Sequence, residues 1–568
     1  MIEHKSPISG IAAFGDTLVA TAGYDNQVIL WDAATQRSIA RGLHDHLANQ
    51  VRFSRCGRFL LSSSSDHSAR LWSVPTMKVI QVFSGHDDDV EAVAFHPTEA
   101  YVATASRDAK ARVFAFDGRL VATLVGHRAD VISVEWTADG KGLITSSDDG
   151  TVKRWDVATQ SLVQDIDLGG VETDTVVIAA DGTIFAGNDE GAIIIIRDGH
   201  QSKVEAHRSG IKRLVYSGET GMLVSLSYDR KVRIWAVGAE GGITPIKSSE
   251  LPIEIWPRSC AFLGTDKIAF ATFGSSYATL HLSDLSWHVA GVRATPGVNA
   301  ATALGGHVYA IGDAGIVWKD RQPLRTLPSL CNFLCPLGDY LLTGGQTGQI
   351  FDALSGALIH QHRSPLNCAS AFTVNGQTFA VVGTYTGEGI LLGIAATGQV
   401  VYLRDVQLHD NAIKGLASDD ETLFSVCATG ASARHDLATM APLATLAEAH
   451  DKIANGCARL NDGRFASVSR DLKLRIWRRD SSVAVVTPHT FSIKCVAASD
   501  DGAVIASGDY GGTVAFYDLG LQRWLRVERP TSCGISSIAF DARRQTFLAS
   551  SYDGTVYELS RPRAEDVA

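Results

Sequence analysis

Residues 127–157 read HRADVISVEWTADGKGLITSSDDGTVKRWDV, and this stretch carries the pattern that decides the fold. Val134 and Trp136 alternate with polar residues, a polar turn follows, and two further alternating runs end at Trp155. Alternation with a period of two is typical of half-buried β-strands, so the stretch predicts three short strands. It contains no stripe of apolar residues at helical spacing.

The same pattern occurs three more times in the first half of the chain, in segments that begin at His44, His86 and His207. A further alternating run, such as KVIQVF (78–83) or RLVATLV (119–125), leads to the next histidine. Each unit of roughly 40 residues therefore predicts four antiparallel strands. The chain is expected to be a repeat protein and not the four domains that its length alone would suggest.

Aspartate and tryptophan recur six residues apart, and a hydroxyl residue stands four positions before each of these aspartates. The sets are Thr21, Asp25, Trp31; Ser62, Asp66, Trp72; Thr145, Asp149, Trp155; Ser225, Asp229, Trp235; and Ser467, Asp471, Trp477. In one further set, Thr104 and Asp108 keep the spacing, but Phe114 replaces the tryptophan. Spacing this regular indicates one structural unit used repeatedly.

This constellation closely resembles the WD-repeat β-propeller family, and the dipeptide WD itself stands at residues 31–32 and 155–156. The resemblance implies that histidine, Ser/Thr, aspartate and tryptophan form a hydrogen-bonded tetrad inside each blade. A buried polar group without a partner costs about 1–3 kcal/mol, so such a set is interpreted as structural and not as a catalytic triad. The expected tetrads are His44, Ser62, Asp66, Trp72; His127, Thr145, Asp149, Trp155; His207, Ser225, Asp229, Trp235; and His450, Ser467, Asp471, Trp477.

About fourteen such units follow one another along the chain. Because one ring of fourteen would leave a wide unfilled centre, the expected fold is all-β, with two tandem seven-bladed β-propellers built from four-stranded antiparallel repeats. The expected domains are 1–292 and 293–568, the second with degenerate repeats. Between residues 253 and 403 only alternating strands and turn glycines mark the units, so the number of blades there could differ by one.

The end of the chain leaves two ways for the rings to close. The last unit ends near Leu559, so the fourteenth blade lacks an obvious outer strand. Either that edge stays short and is protected by charge, or the chain crosses between rings and a terminal unit completes the first propeller. The sequence does not distinguish these alternatives.

Composition and charge narrow the function. The 568 residues include 51 Lys and Arg against 61 Asp and Glu, for a net charge of −10, which argues against nucleic acid and anionic membrane as partners. The first residues lack the apolar core of a signal peptide, and no apolar stretch approaches the ~20 residues of a membrane span. The nine cysteines include no CxxC pair. We expect reduced thiols and a cytoplasmic location.

The resemblance also implies which face binds partners, because the turns between second and third strands open on the face where partners of this family commonly bind. The residues just before the turn aspartates, or before Gly511 where an aspartate is expected, include Tyr24, Arg107, Asp148, Tyr228, Arg470, Tyr510 and Tyr552. Tyrosine and arginine are enriched in binding hot spots, although both also suit exposed turns. The acidic run Asp87, Asp88 and Asp89 is expected on this face, where it either receives a basic peptide or forms a solvated charge run.

The function that follows is a non-enzymatic scaffold that presents loops to protein partners and takes part in complex assembly, with no cofactor and no metal. The alternative is a quinone-dependent oxidoreductase, because residues 344–359 and 395–405 resemble the strand and turn repeats of quinoprotein propellers. Against this alternative, the chain has no adjacent cysteine pair of the kind seen in many such alcohol dehydrogenases.

Overall fold

A computed structural model describes residues 2–447, 449–460, 463–479 and 481–563. Its described residues form 55 β-strands and no α-helix, and every sheet consists of consecutive antiparallel strands. There are fourteen sheets, of which the last has three strands and the others four, and they are numbered 1–14 here in chain order. The all-β fold and the count of about fourteen repeats are thus confirmed. In this described part, no helix has the length and apolarity needed to cross a membrane.

The chain divides into two compact units, Met1–Thr295 (unit 1) and Pro296–Ala568 (unit 2), whereas the sequence places the boundary after residue 292. Sheets 1–4 of unit 1 contain β1 (Ile8–Phe14), β2 (Leu18–Gly23), β3 (Gln27–Asp32), β4 (Arg37–Leu43); β5 (Ala48–Phe53), β6 (Phe59–Ser64), β7 (Ala69–Ser73), β8 (Val79–Phe83); β9 (Val90–Phe95), β10 (Tyr101–Ser106), β11 (Lys110–Ala115), β12 (Leu120–Val125); β13 (Val131–Trp136), β14 (Gly142–Ser147), β15 (Thr151–Asp156) and β16 (Ser161–Asp167). Sheets 5–7 contain β17 (Thr175–Ile178), β18 (Ile184–Gly187), β19 (Ala192–Arg197), β20 (His200–Glu205); β21 (Ile211–Ser217), β22 (Met222–Ser227), β23 (Lys231–Val237), β24 (Ile243–Glu250); β25 (Ile255–Leu263), β26 (Lys267–Thr272), β27 (Ala278–His281) and β28 (Trp287–His288).

Unit 2 repeats this order. Sheets 8–11 contain β29 (Val298–Leu304), β30 (His307–Gly312), β31 (Ile316–Lys319), β32 (Gln322–Thr326); β33 (Cys331–Leu337), β34 (Tyr340–Gly345), β35 (Gln349–Asp352), β36 (Leu358–Gln361); β37 (Leu366–Val374), β38 (Gln377–Thr384), β39 (Glu388–Ile394), β40 (Val400–Gln407); β41 (Ile413–Ser418), β42 (Thr422–Cys427), β43 (Ser432–Asp436) and β44 (Pro442–Leu446). Sheets 12–14 contain β45 (Ala454–Arg459), β46 (Phe465–Ser469), β47 (Lys473–Trp477), β48 (Ser482–Val486); β49 (Ile493–Ala498), β50 (Val504–Asp509), β51 (Val514–Asp518), β52 (Arg523–Glu528); β53 (Ile535–Asp541), β54 (Thr546–Ser551) and β55 (Val556–Ser560).

Within each unit the sheets close into a ring through their first strands. Each first strand packs against the first strand of the next sheet, and β25 returns to β1 in unit 1 as β53 returns to β29 in unit 2. The core lies between neighbouring sheets, because the second and third strands are covered on both faces. Trp31 of sheet 1, for example, packs with Tyr277 of sheet 7. Because every sheet is built from consecutive strands, the alternative in which a terminal segment crosses to complete another ring is wrong for the described residues.

A β-bulge places one side chain of most first strands at the ring centre. In β33, Cys331 pairs with Gly345 and Phe333 pairs with Gly344, so Asn332 between them is left out of the ladder. A bulge of this kind redirects its side chain while the rest of the strand keeps its pairing. We call the residue in this position the bulge residue of its sheet.

Bulge residues with an amide or a hydroxyl group tie neighbouring sheets together, because they donate to the carbonyl of the first residue of the next first strand. The pairs are Ser9 to Ala48, Asn49 to Val90, Asn299 to Cys331, Asn332 to Leu366, Asn367 to Ile413, Asn455 to Ile493 and Ser536 to Val298. The last pair joins sheet 14 back to sheet 8. These bonds satisfy carbonyl groups that the bulge removes from the ladder.

We predict that Asn332→Asp lowers the free energy of unfolding by about 2 kcal/mol, because a carboxylate cannot donate to the Leu366 carbonyl, which lies 2.7 Å from the Asn332 amide nitrogen. Urea unfolding followed by tryptophan fluorescence measures the change. The control is Asn375→Asp in an exposed turn of the same unit, expected within about 0.5 kcal/mol of the wild type. Equal effects of the two substitutions would contradict a stabilising role for the hydrogen bond from Asn332 to the Leu366 carbonyl.

Candidate functional site

Four side chains in sheet 4 form one continuous hydrogen-bonded chain. Trp155 donates its indole N–H to the Thr145 hydroxyl oxygen at 2.9 Å, and that hydroxyl lies 2.7 Å from Nε2 of His127. Nδ1 of His127 lies 2.9 Å from Asp149. One tautomer serves all of these contacts: the hydroxyl donates to Nε2, and Nδ1–H donates to the carboxylate. Burial acts to raise the pKa of Asp149, but hydrogen bonds from His127, Thr151 and Arg128 hold it below its usual value.

The structure brings the other expected tetrads together with the same geometry. The histidine Nδ1 to aspartate distances are 2.9 Å for His44–Asp66, 3.0 Å for His207–Asp229 and 2.9 Å for His450–Asp471. The tryptophan N–H donates to Ser62, Ser225 and Ser467 at 2.8, 2.9 and 2.7 Å. Such fully paired groups have a structural use, since each one satisfies another.

Three further sheets contain the same set, complete in sheet 1 and altered in sheets 3 and 13. Sheet 1 has a complete tetrad from His4, Thr21, Asp25 and Trp31. Sheet 3 keeps His86, Thr104 and Asp108 and places Phe114 where the indole would lie. In sheet 13 the spacing puts Gly511 in the aspartate position, but Asp509, two residues earlier, lies 2.8 Å from His489. The correction arises because Asp509 belongs to the end of β50 and reaches the same imidazole from there.

We predict that Thr145→Val lowers the free energy of unfolding by about 2–4 kcal/mol, because the isosteric change leaves the Trp155 N–H and the His127 Nε2 without a partner. Thr145→Ser keeps the hydroxyl and is the control, expected to cost under about 1 kcal/mol. Chemical denaturation of both variants measures the difference. If valine and serine cost the same, the hydroxyl does not hold the tetrad.

A second repeated contact fixes which residues surround the ring centre. In all fourteen sheets, the residue just before the turn between the second and third strands donates its main-chain N–H to a main-chain carbonyl. The acceptor carbonyl belongs to a residue that lies shortly before the first strand of the same sheet. We call the donor the rim residue and the acceptor the loop residue. Rim, loop and bulge residues together are called the mouth of a unit.

The contact identifies rim residues in sheets without tetrads, which sequence spacing missed. The rim residues of unit 1 are Tyr24, Ser65, Arg107, Asp148, Asp189, Tyr228 and Phe273. Those of unit 2 are Asp313, Gln346, Tyr385, Ala428, Arg470, Tyr510 and Tyr552. The seven expected binding residues of the turns all occupy this position.

Charged side chains meet across the ring centre in unit 1. Glu91, the bulge residue of sheet 3, accepts from Arg107 at 2.5 Å and lies 3.5 Å from Arg258 of sheet 7, which stands almost opposite in the ring. Arg107 also pairs with the loop residue Asp130 at 2.5 Å. Burial acts to lower the pKa of Arg107, but Glu91 and Asp130 raise it above its usual value.

A second ion-pair group lies at sheets 5 and 6, where Lys212 pairs with Asp174 and, at 2.5 Å, with Asp189. Burial raises the pKa of Asp189 to about 7, with the Lys212 ammonium acting against it. Burial, together with Glu172 and other nearby carboxylates, raises the pKa of Asp148. Burial is thus the main factor that opposes ionisation of both carboxyl groups.

Carboxylates dominate this mouth by residue type as well. The acidic residues of the unit 1 mouth are Asp89, Glu91, Asp130, Asp148, Glu172, Asp189 and Glu254, and Asp174 stands just before β17 beside Lys212. Its basic residues are Arg107, Lys212 and Arg258. Arg258 belongs to the wider bulge of β25, between Ile255 and Cys260.

The expected tyrosines of unit 1 are already engaged. Tyr24 packs edge-to-face on Trp256 at 5.2 Å between ring centroids, and Lys212 lies 5.0 Å above the Tyr228 ring. Both tyrosines are half-buried. They are therefore part of the wall of the mouth and present only part of their surface.

The expectation of an exposed acidic run at residues 87–89 is wrong. Only Asp87 is exposed, and it pairs with Lys110 at 3.3 Å. Asp88 and Asp89 are buried, with 8% and 6% of their surface exposed, because the chain turns inward toward β9 at this point. Asp89 is a loop residue and contributes to the mouth, whereas Asp87 lies outside it.

We predict that Asp189→Asn gains stability relative to the wild type as the pH rises from 5 to 7. A carboxyl whose folded pKa is raised to about 7 destabilises the folded state progressively above its unfolded value near 3.8, by about 1.4 kcal/mol per pH unit. Urea unfolding of both proteins at pH 5, 6, 7 and 8 measures the difference. The difference should level off above pH 7, and a constant difference throughout would contradict the raised pKa.

The unit 2 mouth differs in charge and composition. Its bulge residues include Lys414 and Lys494 in sheets 11 and 13, and Arg470 is the rim residue of sheet 12 between them. Lys414 lies 4.8 Å from the centre of the Tyr385 ring. The rings of the expected residues Tyr510 and Tyr552 stack with centroids 6.3 Å apart. The expected set Arg470, Tyr510 and Tyr552 is thus placed on one side of this mouth.

Two groups of side chains in the described part have ligand atoms close enough for a metal ion: His67, Asp88, Asp89 and His362, Glu388, Asp405. In the second group, Nδ1 of His362 accepts the Ser364 main-chain N–H at 3.1 Å. The neutral imidazole therefore carries its proton on Nε2, the atom that faces Glu388 at 3.4 Å. This arrangement uses Nε2 as a donor and does not offer it to a metal.

The family described as "WD domain, G-beta repeat" matches six segments of the chain: residues 1–32, 39–73, 77–114, 118–156, 199–236 and 480–518. The chain is a WD-repeat protein. Five of the six segments lie in unit 1, where the complete tetrads are most frequent. Sheet 12, whose tetrad contains His450 and Trp477, has the same hydrogen bonds but does not lie in a matched segment.

Two of three similar proteins are named as subunits of complexes. The chain is 29% identical over 220 residues to transcription initiation factor TFIID subunit 5 of Caenorhabditis elegans, which covers 38% of this chain and 31% of that protein. It is 27% identical over 235 residues to target of rapamycin complex subunit wat1 of Schizosaccharomyces pombe, with 39% and 74% covered. Nuclear distribution protein PAC1 of Arthroderma benhamiae is 32% identical over 179 residues, with 27% and 38% covered. The chain thus spans about a third of the length of the first and third of these relatives.

Proposed function

We propose that this WD-repeat protein is a non-enzymatic scaffold for protein complexes, and that each unit is one seven-bladed propeller that binds through its mouth. The relatives named as subunits of TFIID and of the target of rapamycin complex support a role in protein interaction. Large rigid rings whose variable residues surround one opening suit such a role. A cytoplasmic location remains part of the proposal.

The observation that carries the finer proposal is the excess of carboxylates in the unit 1 mouth. Burial, with nearby carboxylates adding to it, makes Asp148 and Asp189 costly to ionise, and the pKa of each is raised. A lysine or arginine side chain entering the mouth would offset the repulsion. We propose that unit 1 binds a basic segment of a partner protein at the mouth, to which Asp89 of the 87–89 run contributes.

The burial of these groups gives the interaction strength and specificity. Charges in a partly desolvated site interact more strongly than charges in water, and a neutral or acidic segment would find like charge or no partner there. Arg107 and Arg258 hold Glu91 in place, which leaves the mouth preorganised before binding.

We predict that a fluorescein-labelled octalysine peptide binds the full chain in 50 mM NaCl and that Asp148→Asn combined with Asp130→Asn weakens binding about tenfold. Fluorescence anisotropy measures the affinity. Asp198→Asn, an exposed carboxylate on the outer hairpin of sheet 5, is the matched control and should leave the affinity unchanged. Equal affinity of all three proteins would contradict binding at the mouth.

Calorimetry adds a test that simple surface attraction would not meet. Because a bound cation lowers the pKa of Asp189 from about 7, peptide binding at pH 7 should release protons. The observed heat should therefore depend on the ionisation enthalpy of the buffer, and Asp189→Asn should remove most of that dependence. A chain that binds no partner peptide and carries a quinone absorbance would contradict the scaffold proposal altogether.

A further inference from the structure

The bulge residue joins neighbouring sheets in most of unit 2, and in two sheets this residue is a lysine. Asn299, Asn332, Asn367 and Asn455 donate to the next sheet from this position, and so does the Ser536 hydroxyl. Lys414 and Lys494 stand in the same position in sheets 11 and 13. Each lysine brings a cation to a position that holds an uncharged side chain in the other sheets of unit 2.

The three cations lie on consecutive sheets. Lys414, Arg470 and Lys494 belong to sheets 11, 12 and 13 and hold bulge, rim and bulge positions. All three are half-buried, so their charge is partly removed from water. Such a cluster attracts an anion more strongly than the same residues on an open surface.

Aromatic side chains complete this part of the mouth. Lys414 lies over the Tyr385 ring, and Tyr510 stacks on Tyr552. The pKa of Lys494 is raised, and the nearby Tyr510 phenol is the largest cause. Burial acts against this shift, and the Tyr385 phenol adds to it. Lys494 is therefore protonated at neutral pH. The phenol hydroxyl is a group that can donate a hydrogen bond to an incoming oxyanion.

The acidic residues that neutralise cations in unit 1 have no counterparts at these positions in unit 2. The loop residues of unit 2 are Gly297, Leu330, Pro365, Ala412, Ile453, Ser492 and Gly534. Among the described rim, loop and bulge residues of unit 2, Asp313 in sheet 8 carries the one carboxylate. It accepts a hydrogen bond from the Asn299 amide at 2.9 Å. Sheet 8 adjoins sheets 9 and 14 in the ring, whereas the three cations belong to sheets 11, 12 and 13.

We propose that the unit 2 mouth binds an acidic peptide segment of a partner protein, with Lys414, Arg470 and Lys494 receiving its carboxylates between Tyr385, Tyr510 and Tyr552. The proposal rests on the scaffold function and adds the chemistry of a second partner. The two mouths of one chain then select segments of opposite charge. Nucleic acid is a different occupant, and the net charge of −10 disfavours it.

The test uses the full chain and a fluorescein-labelled octaglutamate peptide in 50 mM NaCl. We expect anisotropy to show binding that weakens at least tenfold in Lys414→Gln/Lys494→Gln and again when NaCl is raised to 300 mM. Lys494→Arg keeps the charge and should bind within about threefold of the wild type. Lys319→Gln, at the end of β31 away from the mouth positions, is the control and should have no effect.

Octalysine binding to the same proteins separates the possible failures. If the double variant still binds octalysine at unit 1 but no longer binds octaglutamate, the variant is folded and the proposal is supported. If the wild type binds octalysine but not octaglutamate, the unit 2 proposal is wrong and the scaffold function stands. The proposal is also overturned if the double variant binds octaglutamate normally, or if an unlabelled thymidine octanucleotide displaces octaglutamate at a lower concentration than unlabelled octaglutamate does.

Discussion

The main-chain hydrogen bond between rim and loop residues is the contact on which the rest of this structure depends. It occurs in every sheet, with N···O distances from 2.8 to 3.2 Å, whether or not the sheet has a tetrad. Because it joins two main-chain groups, it places no demand on the side chain of either residue. Main-chain atoms therefore fix the turn against the start of the first strand in each sheet, while the side chains at the mouth are free to vary.

The tetrads add to this framework and do not replace it. Sheets 1, 2, 4, 6 and 12 use all four side chains, whereas sheet 11 pairs His409 with Ser425 and places His435 where the tryptophan would stand. Burial lowers the pKa of His409 to about 4, so its imidazole is neutral in the folded protein at physiological pH. Sheets of both kinds present their rim residues in the same way. A degenerate repeat is thus still a full member of its ring.

This division of labour explains how the two units acquire different mouths. In unit 1 the pairs Arg107–Glu91 and Lys212–Asp189 leave an excess of negative charge, and in unit 2 Lys414 and Lys494 replace the amides that elsewhere join neighbouring sheets. Charge at such positions influences which partner binds more than it influences the fold. The proposals for the two mouths follow from this difference.

The sequence predicted the repeat, the all-β fold and the tetrad residues because each depends on spacing within about 40 residues. It could not predict the contact between Glu91 and Arg258, which are 167 residues apart and meet only when the ring closes. The hydrogen bonds from the bulge asparagines to the next sheet could not be predicted either, because their acceptors are main-chain carbonyl groups, which every residue has. The burial of Asp88 and Asp89 was missed because a run of three aspartates resembles a solvated segment until the turn into β9 is known.

The central claim is that each mouth, and not the outer strands, selects a partner segment by charge. Photo-crosslinking tests it most directly: octalysine and octaglutamate peptides with a terminal benzophenone are bound to the full chain, irradiated, and located by mass spectrometry. The account predicts crosslinks from octalysine near the unit 1 rim residues and from octaglutamate near Tyr385, Arg470 and Tyr510. Crosslinks from both peptides to the same unit, or mainly to the outer strands, would contradict it.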